Sequence, residues 1–170
     1  MAIKFKKVRA VKTPNRAHVH DAGIDFFIPE YSEELVNSIA EFNEKNNGSV
    51  NDIVFNEDGF VIQPGARVLV PSGIQVNIED KTTYLKAENK SGIASRLGLI
   101  LGPCVVDADY HGEIYIGLIN TSNKPVTLKY GQKFVQFIEQ RYYSSVWTEV
   151  DNIDTNSERS TNGFGSTGLV

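Results

Sequence analysis

The stretch that decides the fold is Gly59–Ile78, with the sequence GFVIQPGARVLVPSGIQVNI. Short runs rich in Val, Ile and Leu alternate here with proline- and glycine-containing breakers. Because such breakers end strands and begin turns, their regular spacing is typical of a chain built from many short strands. In order, the runs and breakers are Gly59–Gln63, Pro64-Gly65, Ala66–Val70, Pro71-Ser72-Gly73 and Ile74–Ile78.

Runs of the same kind recur on both sides of this stretch and predict further strands. They are Ala2–Val8, Glu113–Ile119, Lys124–Leu128, Lys133–Glu139 and Tyr142–Glu149. We therefore expect an all-β fold, a sandwich or barrel of mostly antiparallel strands. Residues 1–150 would form this β-domain and residues 151–170 a flexible tail.

One segment departs from the β pattern. Ser32–Lys45 places its apolar residues at helical spacing, carries acids in its first turn and is followed by Asn47-Gly48 as a stop signal. It predicts a single inserted amphipathic helix, at about residues 32–47. Two interpretations are open: a lid over one end of the β-core, or an element on which a protein partner docks.

Composition and charge exclude several classes of protein. The chain has 170 residues, with 17 basic and 21 acidic side chains and a formal net charge of −4. No basic face suggests a non-specific grip on nucleic acid, and no apolar run is long enough for a membrane helix. The single cysteine, Cys104, excludes an internal disulfide and a cysteine-rich zinc site. We expect a soluble, cytoplasmic protein without nucleic-acid or membrane partners.

The tail combines low apolar content with residues suited to phosphate. Asp151–Ser160 is polar and Asn162–Gly168 is glycine-rich, so the tail has too little apolar surface to offset its ordering entropy. It nevertheless contains one arginine, one phenylalanine and a Gly-Ser-Thr-Gly cluster. Backbone N–H groups, hydroxyls and a guanidinium are the groups that bind phosphate, although the lysine of a Walker A loop is missing.

Three further segments carry candidate chemistry. Asn89–Leu99 (NKSGIASRLGL) is either an anion-binding turn or a turn with solvated charges. Val105–Glu113 (VVDADYHGE) predicts a β-hairpin with a polar tip, and it is not a calcium loop because Leu118 stands at the twelfth position. Asp25, in DAGIDFF, is either an inward carboxylate that needs a partner or metal-bound water, or an exposed strand residue.

The order of these segments resembles the five motifs of the trimeric deoxyuridine triphosphatases (dUTP pyrophosphatases). The motifs in chain order are DAGIDFF, KSGIASRLGL, VVDADYHGEI, YGQKFVQF and RSTNGFGSTG. The resemblance implies a jelly-roll protomer and a homotrimer whose active sites lie at subunit interfaces. It also implies conversion of dUTP and water to dUMP and pyrophosphate, with Mg²⁺ on the triphosphate and the tail of one chain closing over the site.

The resemblance also implies roles around the nucleoside and the attacked phosphorus. Asp107 matches the catalytic aspartate that orients and deprotonates the attacking water. Tyr110 matches the aromatic residue beneath the deoxyribose, which excludes a 2′-hydroxyl and therefore UTP. The backbone around Cys104 and Tyr115 corresponds to the part that pairs with uracil.

The remaining matched positions concern the phosphates. Asp25 matches a carboxylate that holds metal-bound waters, as an outer-shell ligand of Mg²⁺. The tail supplies Arg159 for the γ-phosphate and Phe164 for stacking on uracil. The other matched substrate-binding positions are Lys90, Ser91 and Gly92 of the second motif, Gln136 of the fourth, and Gly165, Ser166 and Thr167 of the tail.

The chain departs from the family pattern at four positions. Lys90 and Lys133 stand where arginine is usual, Cys104 where glycine is common, and Ser160 where glycine usually follows Arg159. The inserted helix exceeds the compact family pattern; some phage members carry an insertion near this place and bind a transcriptional repressor. Two alternatives remain beside the hydrolase: a nucleotide-sensing regulatory protein on the same fold, and the related dCTP deaminase, against which the VVDADY segment argues.

Overall fold

The computed structural model describes residues 2–46, 52–157 and 160. This part of the chain contains eleven strands, one α-helix and a single π-helical turn. In chain order these are β1 (Ile3–Lys7), β2 (Ile24–Phe27), α1 (Glu33–Lys45), β3 (Ile53–Asn56), β4 (Gly59–Ile62), β5 (Arg67–Ile78), β6 (Thr83–Asn89), the π-turn (Ile93–Leu97), β7 (Leu99–Leu101), β8 (Val105–Val106), β9 (Glu113–Asn120), β10 (Val126–Lys129) and β11 (Lys133–Arg141).

The strands form three antiparallel sheets, so the all-β prediction is confirmed. The strand orders are β1-β5-β9-β7, β10-β4-β3 and β2-β11-β6-β8. Alternate residues of the long strands point into one apolar core, for example Val68 and Val70 of β5 and Ile114 and Ile116 of β9, all at most 2% exposed. This alternation leaves the other face of β5 and β9 available for further packing.

The predicted break at Pro71-Ser72-Gly73 is wrong. Residues Arg67–Ile78 form one strand, whose register with β9 shifts between Pro71 and Gln75. Gly73 has a φ of +72°, which favours glycine, and its N–H donates to the Glu113 carboxylate at 2.7 Å. Because the irregular residues find hydrogen-bond partners within the sheet, the chain passes through a bulge instead of ending the strand.

The predicted helix is confirmed as α1. The Ser32 hydroxyl accepts a hydrogen bond from the Leu35 N–H at 3.1 Å and caps the first turn. Leu35 and Ile39 are fully buried, and the Leu69 N–H of β5 donates to the Asn43 side chain at 3.3 Å. The apolar face of the helix is therefore used against the chain's own sheet, on the outer face of β5.

The predicted β-hairpin at Val105–Glu113 is also wrong. Strand β8 pairs with β6, whereas β9 pairs with β5 and β7 in a different sheet. The chain changes sheets just after Gly102. The Gly102 N–H donates to the Gly117 carbonyl of β9 at 3.0 Å, whereas the Cys104 carbonyl, two residues later, accepts from the Ala87 N–H in the other sheet at 2.7 Å. Asp107 consequently lies in a loop that joins two sheets.

The strand predicted at Tyr142–Glu149 does not form. β11 ends at Arg141, and residues 142–157 contain no helix or strand. Tyr142 is still attached, through hydrogen bonds to Thr82 and Lys81 at 3.0 Å each, but Trp147 is 97% exposed. The apolar pattern predicted a strand, yet a strand also needs a neighbour to pair with, and none is present for this segment in the described part of the chain.

Within residues 2–46, 52–157 and 160, no helix has the length and apolar character that a membrane crossing requires.

Candidate active site

Asp25 lies in the middle of a charged cluster on the β2-β11-β6-β8 sheet. It is 4% exposed, so the interpretation of an inward carboxylate is confirmed. One carboxylate oxygen pairs with the Lys90 ammonium and the other with the Lys133 ammonium, the latter at 2.8 Å. Burial raises the pKa of Asp25, but the hydrogen bonds from Lys133 and Lys90 outweigh burial and hold that pKa below its usual value.

The two lysines reach Asp25 from different strands. Lys90 directly follows β6 and Lys133 begins β11, whose register places Gln136 opposite Asp25. Their side chains are 26% and 37% exposed, so each ammonium contacts the buried carboxylate and solvent at once. A ligand anion that approaches from solvent would meet two cations whose positions are already set by their shared counter-ion.

Gln136 and the turn after Lys90 complete this group. The Gln136 amide donates to the Asn89 carbonyl at 3.0 Å and therefore ties β11 to the end of β6. Ser91 is exposed, and nothing lies within 4 Å of the place where a Cβ on Gly92 would stand. We call this group the lysine cluster; it consists of Asp25, Lys90, Ser91, Gly92, Lys133 and Gln136.

Asp107 has a very different environment. It is exposed, and its carboxylate has no hydrogen bond or ion pair to any residue in the described ranges. The loop around it is held by the backbone: the Tyr110 N–H donates to the Asp107 carbonyl at 3.1 Å, and the Lys81 ammonium donates to the Ala108 carbonyl at 2.6 Å. The loop therefore presents to solvent a positioned carboxylate that pairs with none of the described residues.

Tyr110 belongs to the same loop and is fixed by its hydroxyl. The hydroxyl donates to the Glu113 carbonyl at 2.8 Å, and a Cβ on Gly112 would lie only 2.5 Å from the hydroxyl oxygen. The close approach therefore requires glycine at position 112. Because Tyr110 is still 45% exposed, its ring presents a surface to a ligand.

Cys104 and Tyr115 flank the place where the chain changes sheets. The Cys104 side chain is partly buried and its carbonyl accepts from Ala87. The Tyr115 ring lies on the outer face of β9 and stacks on Phe42 of α1, with ring centroids 5.0 Å apart and an interplanar angle of 27°. After the Gly102–Gly117 hydrogen bond, the chain passes to the other sheet, where the Cys104 carbonyl is bonded.

The structure does not bring the two groups together within one chain. Val106 pairs with Leu85 near the start of β6, whereas Lys90 follows the other end of that strand. At a rise of about 3.3 Å per residue, Asp107 and the lysine cluster lie about 20 Å apart. Within one chain, a triphosphate whose α-phosphorus lies beside Asp107 is therefore too far from the lysine cluster to contact it.

Five predicted site residues lie outside the described residues: Arg159, Phe164, Gly165, Ser166 and Thr167. In the described part, sequence reasoning missed Lys81, which fastens the Asp107 loop, and Arg9 and Glu113, which form an ion pair at 2.9 Å beside that loop. Arg9 and Glu113 are 104 residues apart, and no local pattern links them.

A metal site made by the protein alone is not found among the residues that the structure describes. No group of three or more His, Cys, Asp or Glu side chains there is arranged to hold an ion. Asp25 is the one carboxylate of the lysine cluster, and both of its oxygens contact lysine. Any divalent ion at this place would therefore take most of its ligands from a bound anion or from water.

Comparison with known proteins identifies relatives over most of the chain. A family model described as dUTPase matches residues 42–168. The deoxyuridine 5'-triphosphate nucleotidohydrolase of Rickettsia prowazekii is 31% identical over 139 residues, which cover 81% of this chain and 93% of that protein. Asp25 lies before the region that the family model matches.

Solved structures show the same fold. The dUTPase of Staphylococcus bacteriophage 80alpha, solved with dUpNHpp, has a TM-score of 0.71 at 19% identity and covers 99% of both chains. A variant dUTPase of the S. aureus phage phi11, described with a structural Mg(II) ion, has a TM-score of 0.64 at 15% identity and covers 91% of this chain and 99% of that one.

Proposed function

This chain belongs to the dUTPase family and hydrolyses dUTP to dUMP, and from that premise we propose that its active site is shared between copies in a homotrimer. The separation of Asp107 from the lysine cluster carries this proposal. Two groups about 20 Å apart on one sheet cannot act on one phosphorus, whereas closed symmetry can place the Asp107 loop of one copy beside the lysine cluster of the next.

Asp107 is proposed to act as the general base. Its carboxylate is exposed, held on a fastened loop and unpaired within the described residues, so it is available to accept a proton from water. The water oxygen forms a bond to the α-phosphorus and its proton passes to Asp107. The bond from the α-phosphorus to the bridging oxygen breaks, and pyrophosphate leaves with that electron pair.

The lysine cluster is proposed to bind the triphosphate. Lys90 and Lys133 supply positive charge, the Ser91 hydroxyl and the backbone beside Gly92 face open space, and Gln136 keeps the two strands in register. A lysine ammonium is a point charge and does not reproduce the two parallel hydrogen bonds of an arginine. Two lysines on one counter-ion therefore provide charge where the usual family residues provide bidentate contacts.

Mg²⁺ is proposed to enter with the nucleotide. The described residues form no cage for it, which fits an ion whose ligands are phosphate oxygens and water. When bound, such an ion would supply positive charge against the charge that develops on the phosphate oxygens. Both Asp25 oxygens already contact a lysine and the residue is buried, so an outer-shell contact with metal-bound water would compete with the observed ion pairs.

Selection of the nucleoside is proposed to rest on the Asp107 loop and the strand after it. The Tyr110 ring packs beneath the deoxyribose and leaves no room for a 2′-hydroxyl, while the backbone around Cys104 and Tyr115 pairs with uracil. Because the Tyr110 hydroxyl is already bound to Glu113, the ring cannot turn away to admit a ribonucleotide without losing that bond.

The tail is proposed to close the site. Arg159 would meet the γ-phosphate and Phe164 would stack on uracil, with Gly165, Ser166 and Thr167 around the phosphates. A segment that lacks apolar surface of its own gains partners by ordering on the substrate.

Subunit mixing tests the shared site. Asp107→Asn chains and chains that carry both Lys90→Ala and Lys133→Ala are each expected to release little pyrophosphate from dUTP. When equal amounts are unfolded and refolded together, random assembly should leave about a quarter of the sites intact, because each site needs the right copy at two positions. Wild-type protein taken through the same cycle gives the reference activity.

Two further mixtures identify the origin of each part. Asp107→Asn mixed with Asp107→Ala should stay inactive, because both variants damage the same element. A chain that ends at residue 157 mixed with Asp107→Asn should regain activity if tail and base come from different copies. The proposal fails if the mixture of Asp107→Asn chains with Lys90→Ala/Lys133→Ala chains recovers no activity while the wild type refolds fully. Each chain would then build its site alone.

A further inference from the structure

The inserted helix α1 contacts the nucleoside side of the molecule at two separate places. One is an ion-pair cluster around Arg9, and the other is the stacked pair Phe42 and Tyr115. Both lead to β9, the strand that directly follows the Asp107–Gly112 loop. The helix therefore touches the strand that carries the proposed uracil-pairing backbone.

Arg9 joins the helix to the beginning of β9. Its guanidinium donates to the Glu113 carboxylate at 2.9 Å, to the Glu34 carboxylate at 3.3 Å and to the Ser38 hydroxyl at 3.1 Å. The Arg9 and Glu113 side chains are 11% and 12% exposed, so water weakens this contact far less than a surface ion pair. A planar guanidinium with three partners in fixed directions holds the helix and the strand in one relative position.

Glu113 passes this restraint to Tyr110. The same carboxylate oxygen that binds Arg9 accepts the Gly73 N–H of the β5 bulge at 2.7 Å, so the Glu113 side chain is fixed from two sides. The Glu113 backbone carbonyl accepts the Tyr110 hydroxyl at 2.8 Å. A chain of direct contacts thus runs from Ser38 and Glu34 of the helix to the ring proposed to lie beneath the sugar.

Phe42 restrains β9 two residues further along. Its ring stacks on Tyr115 on the outer face of the sheet, one helical turn before α1 ends. A stacked aromatic pair contributes about 0.5–1.5 kcal/mol beyond the area it buries. Tyr115 is opposite Pro71, where the regular pairing of β9 with β5 is interrupted before it resumes at Glu113 and Gln75, so the stacked rings support β9 beside an irregular part of the sheet.

We propose that α1 is an internal brace of the nucleoside pocket, and that Arg9 and Phe42 are positioning residues that set discrimination against a 2′-hydroxyl and against bases other than uracil. This inference rests on the proposed roles of Tyr110 and of the Tyr115 backbone. The brace holds the sugar platform and the base-pairing strand at one spacing, and loosening it admits ligands that the tight spacing rejects.

Steady-state kinetics of dUTP, UTP and dCTP hydrolysis test the brace. For Phe42→Ala and Arg9→Gln we expect KM for dUTP to rise about tenfold with kcat within twofold, and the preference for dUTP over UTP to fall by a similar factor. Phe42→Tyr keeps the stacked ring and should restore wild-type constants. Glu41→Ala, at an exposed position of the same helix, is the matched control and should change neither constant.

A further variant, Tyr110→Ala, distinguishes failure of the brace from failure of the proposed role of Tyr110. Tyr110→Ala should itself relax the preference for dUTP over UTP; an unchanged preference would refute the role of Tyr110 and not the contacts of the helix. If Tyr110→Ala relaxes selectivity while Phe42→Ala and Arg9→Gln leave it intact, the brace is overturned and α1 only covers the sheet. Should Phe42→Ala fail to fold, Phe42→Leu keeps apolar bulk without stacking, and its preference for dUTP over UTP decides the same question.

Discussion

The lysine cluster and the Asp107 loop lie at opposite ends of β6 and differ in almost every physical respect. In the cluster a buried carboxylate is paired with two lysines, and the surrounding strands are fastened by Gln136. In the loop the Asp107 carboxylate is exposed and unpaired within the described ranges, while backbone hydrogen bonds and the Tyr110 hydroxyl hold the loop in place. At one end the charges are already compensated, and at the other an exposed carboxylate has no partner among the residues that the structure describes.

The difference shows how a fold can divide binding from chemistry. A site for a highly charged ligand needs cationic side chains that stay close together despite their mutual repulsion. A buried carboxylate that pairs with both of them can hold them so within a single chain. A general base, in contrast, must keep its proton-accepting oxygen free until substrate and water arrive. The two requirements conflict within one cluster. In this chain the two groups lie about 20 Å apart, and the proposed subunit assembly would bring them together.

Of the substitutions that test this contrast, replacement of the Asp107 carboxylate should have the largest effect. We expect Asp107→Asn to lower kcat for dUTP by about 10²–10⁴, because the amide cannot accept the proton of water, while KM changes little. Pyrophosphate release at saturating dUTP measures this. Asp109→Asn is the control, since that carboxylate is also exposed in the same loop. Equal losses in the two variants would mean that loop charge, and not a base, is needed.

Removing one lysine of the lysine cluster tests its proposed role in binding the triphosphate. Lys90→Ala or Lys133→Ala should raise KM for dUTP about tenfold to a hundredfold with a smaller change in kcat, because charge that holds the phosphates is lost. Lys133→Arg sharpens the test, since a guanidinium restores the charge and adds bidentate contacts. Initial rates over a range of dUTP concentrations separate the two constants. A loss confined to kcat would place the lysines with the chemistry and erase the distinction.

The smallest expected effect concerns the counter-ion in the absence of substrate. The lysines hold the pKa of Asp25 below its ordinary value of 3.8, so the charged pair stabilises the fold above that pH. This stabilisation is lost as the pH falls through the lowered pKa. Asp25→Asn should lower the free energy of unfolding by about 2 kcal/mol at pH 7, a modest figure because both lysines reach solvent.

Urea unfolding from pH 7 to pH 2.5 measures the difference between wild type and Asp25→Asn. The gap should stay constant down to about pH 4 and then narrow with further acid. Asp107→Asn serves as the comparison and should show a smaller difference from wild type at pH 7, because its carboxylate has no partner within the described residues. A gap of the same size for Asp107→Asn would show that the two ends do not differ in pairing.

Much of the local structure followed from sequence patterns. The helix was predicted because its apolar spacing, its first-turn acids and the Asn47-Gly48 stop signal are all local features of the sequence. Most strands were predicted because their inward residues alternate and turn residues separate them. Three predictions were wrong, and they share one cause, because each depended on which strand lies next to the segment in space. They concern Pro71-Ser72-Gly73, Val105–Glu113 and Tyr142–Glu149.

The site divides along the same line. Asp107, Tyr110 and Gln136 were identified from motifs because residue type and order along the chain carry that information. Lys133 was noticed only as a departure from the family pattern. Its pairing with Asp25, like that of Lys90, joins residues far apart in the chain, so no local signal contains it.

By itself, the sequence determined the all-β class, the inserted helix and the kind of chemistry, because short-range periodicity and motif order depend on neighbouring residues alone. Tertiary structure decided which side chains meet: the two lysines on Asp25, Arg9 on Glu113, and Phe42 on Tyr115. It also decided that Asp107 lies far from Lys90 and Lys133, with which the proposed mechanism combines it. Strand pairing across the whole chain sets these distances, and pairing is a property of the assembled sheets.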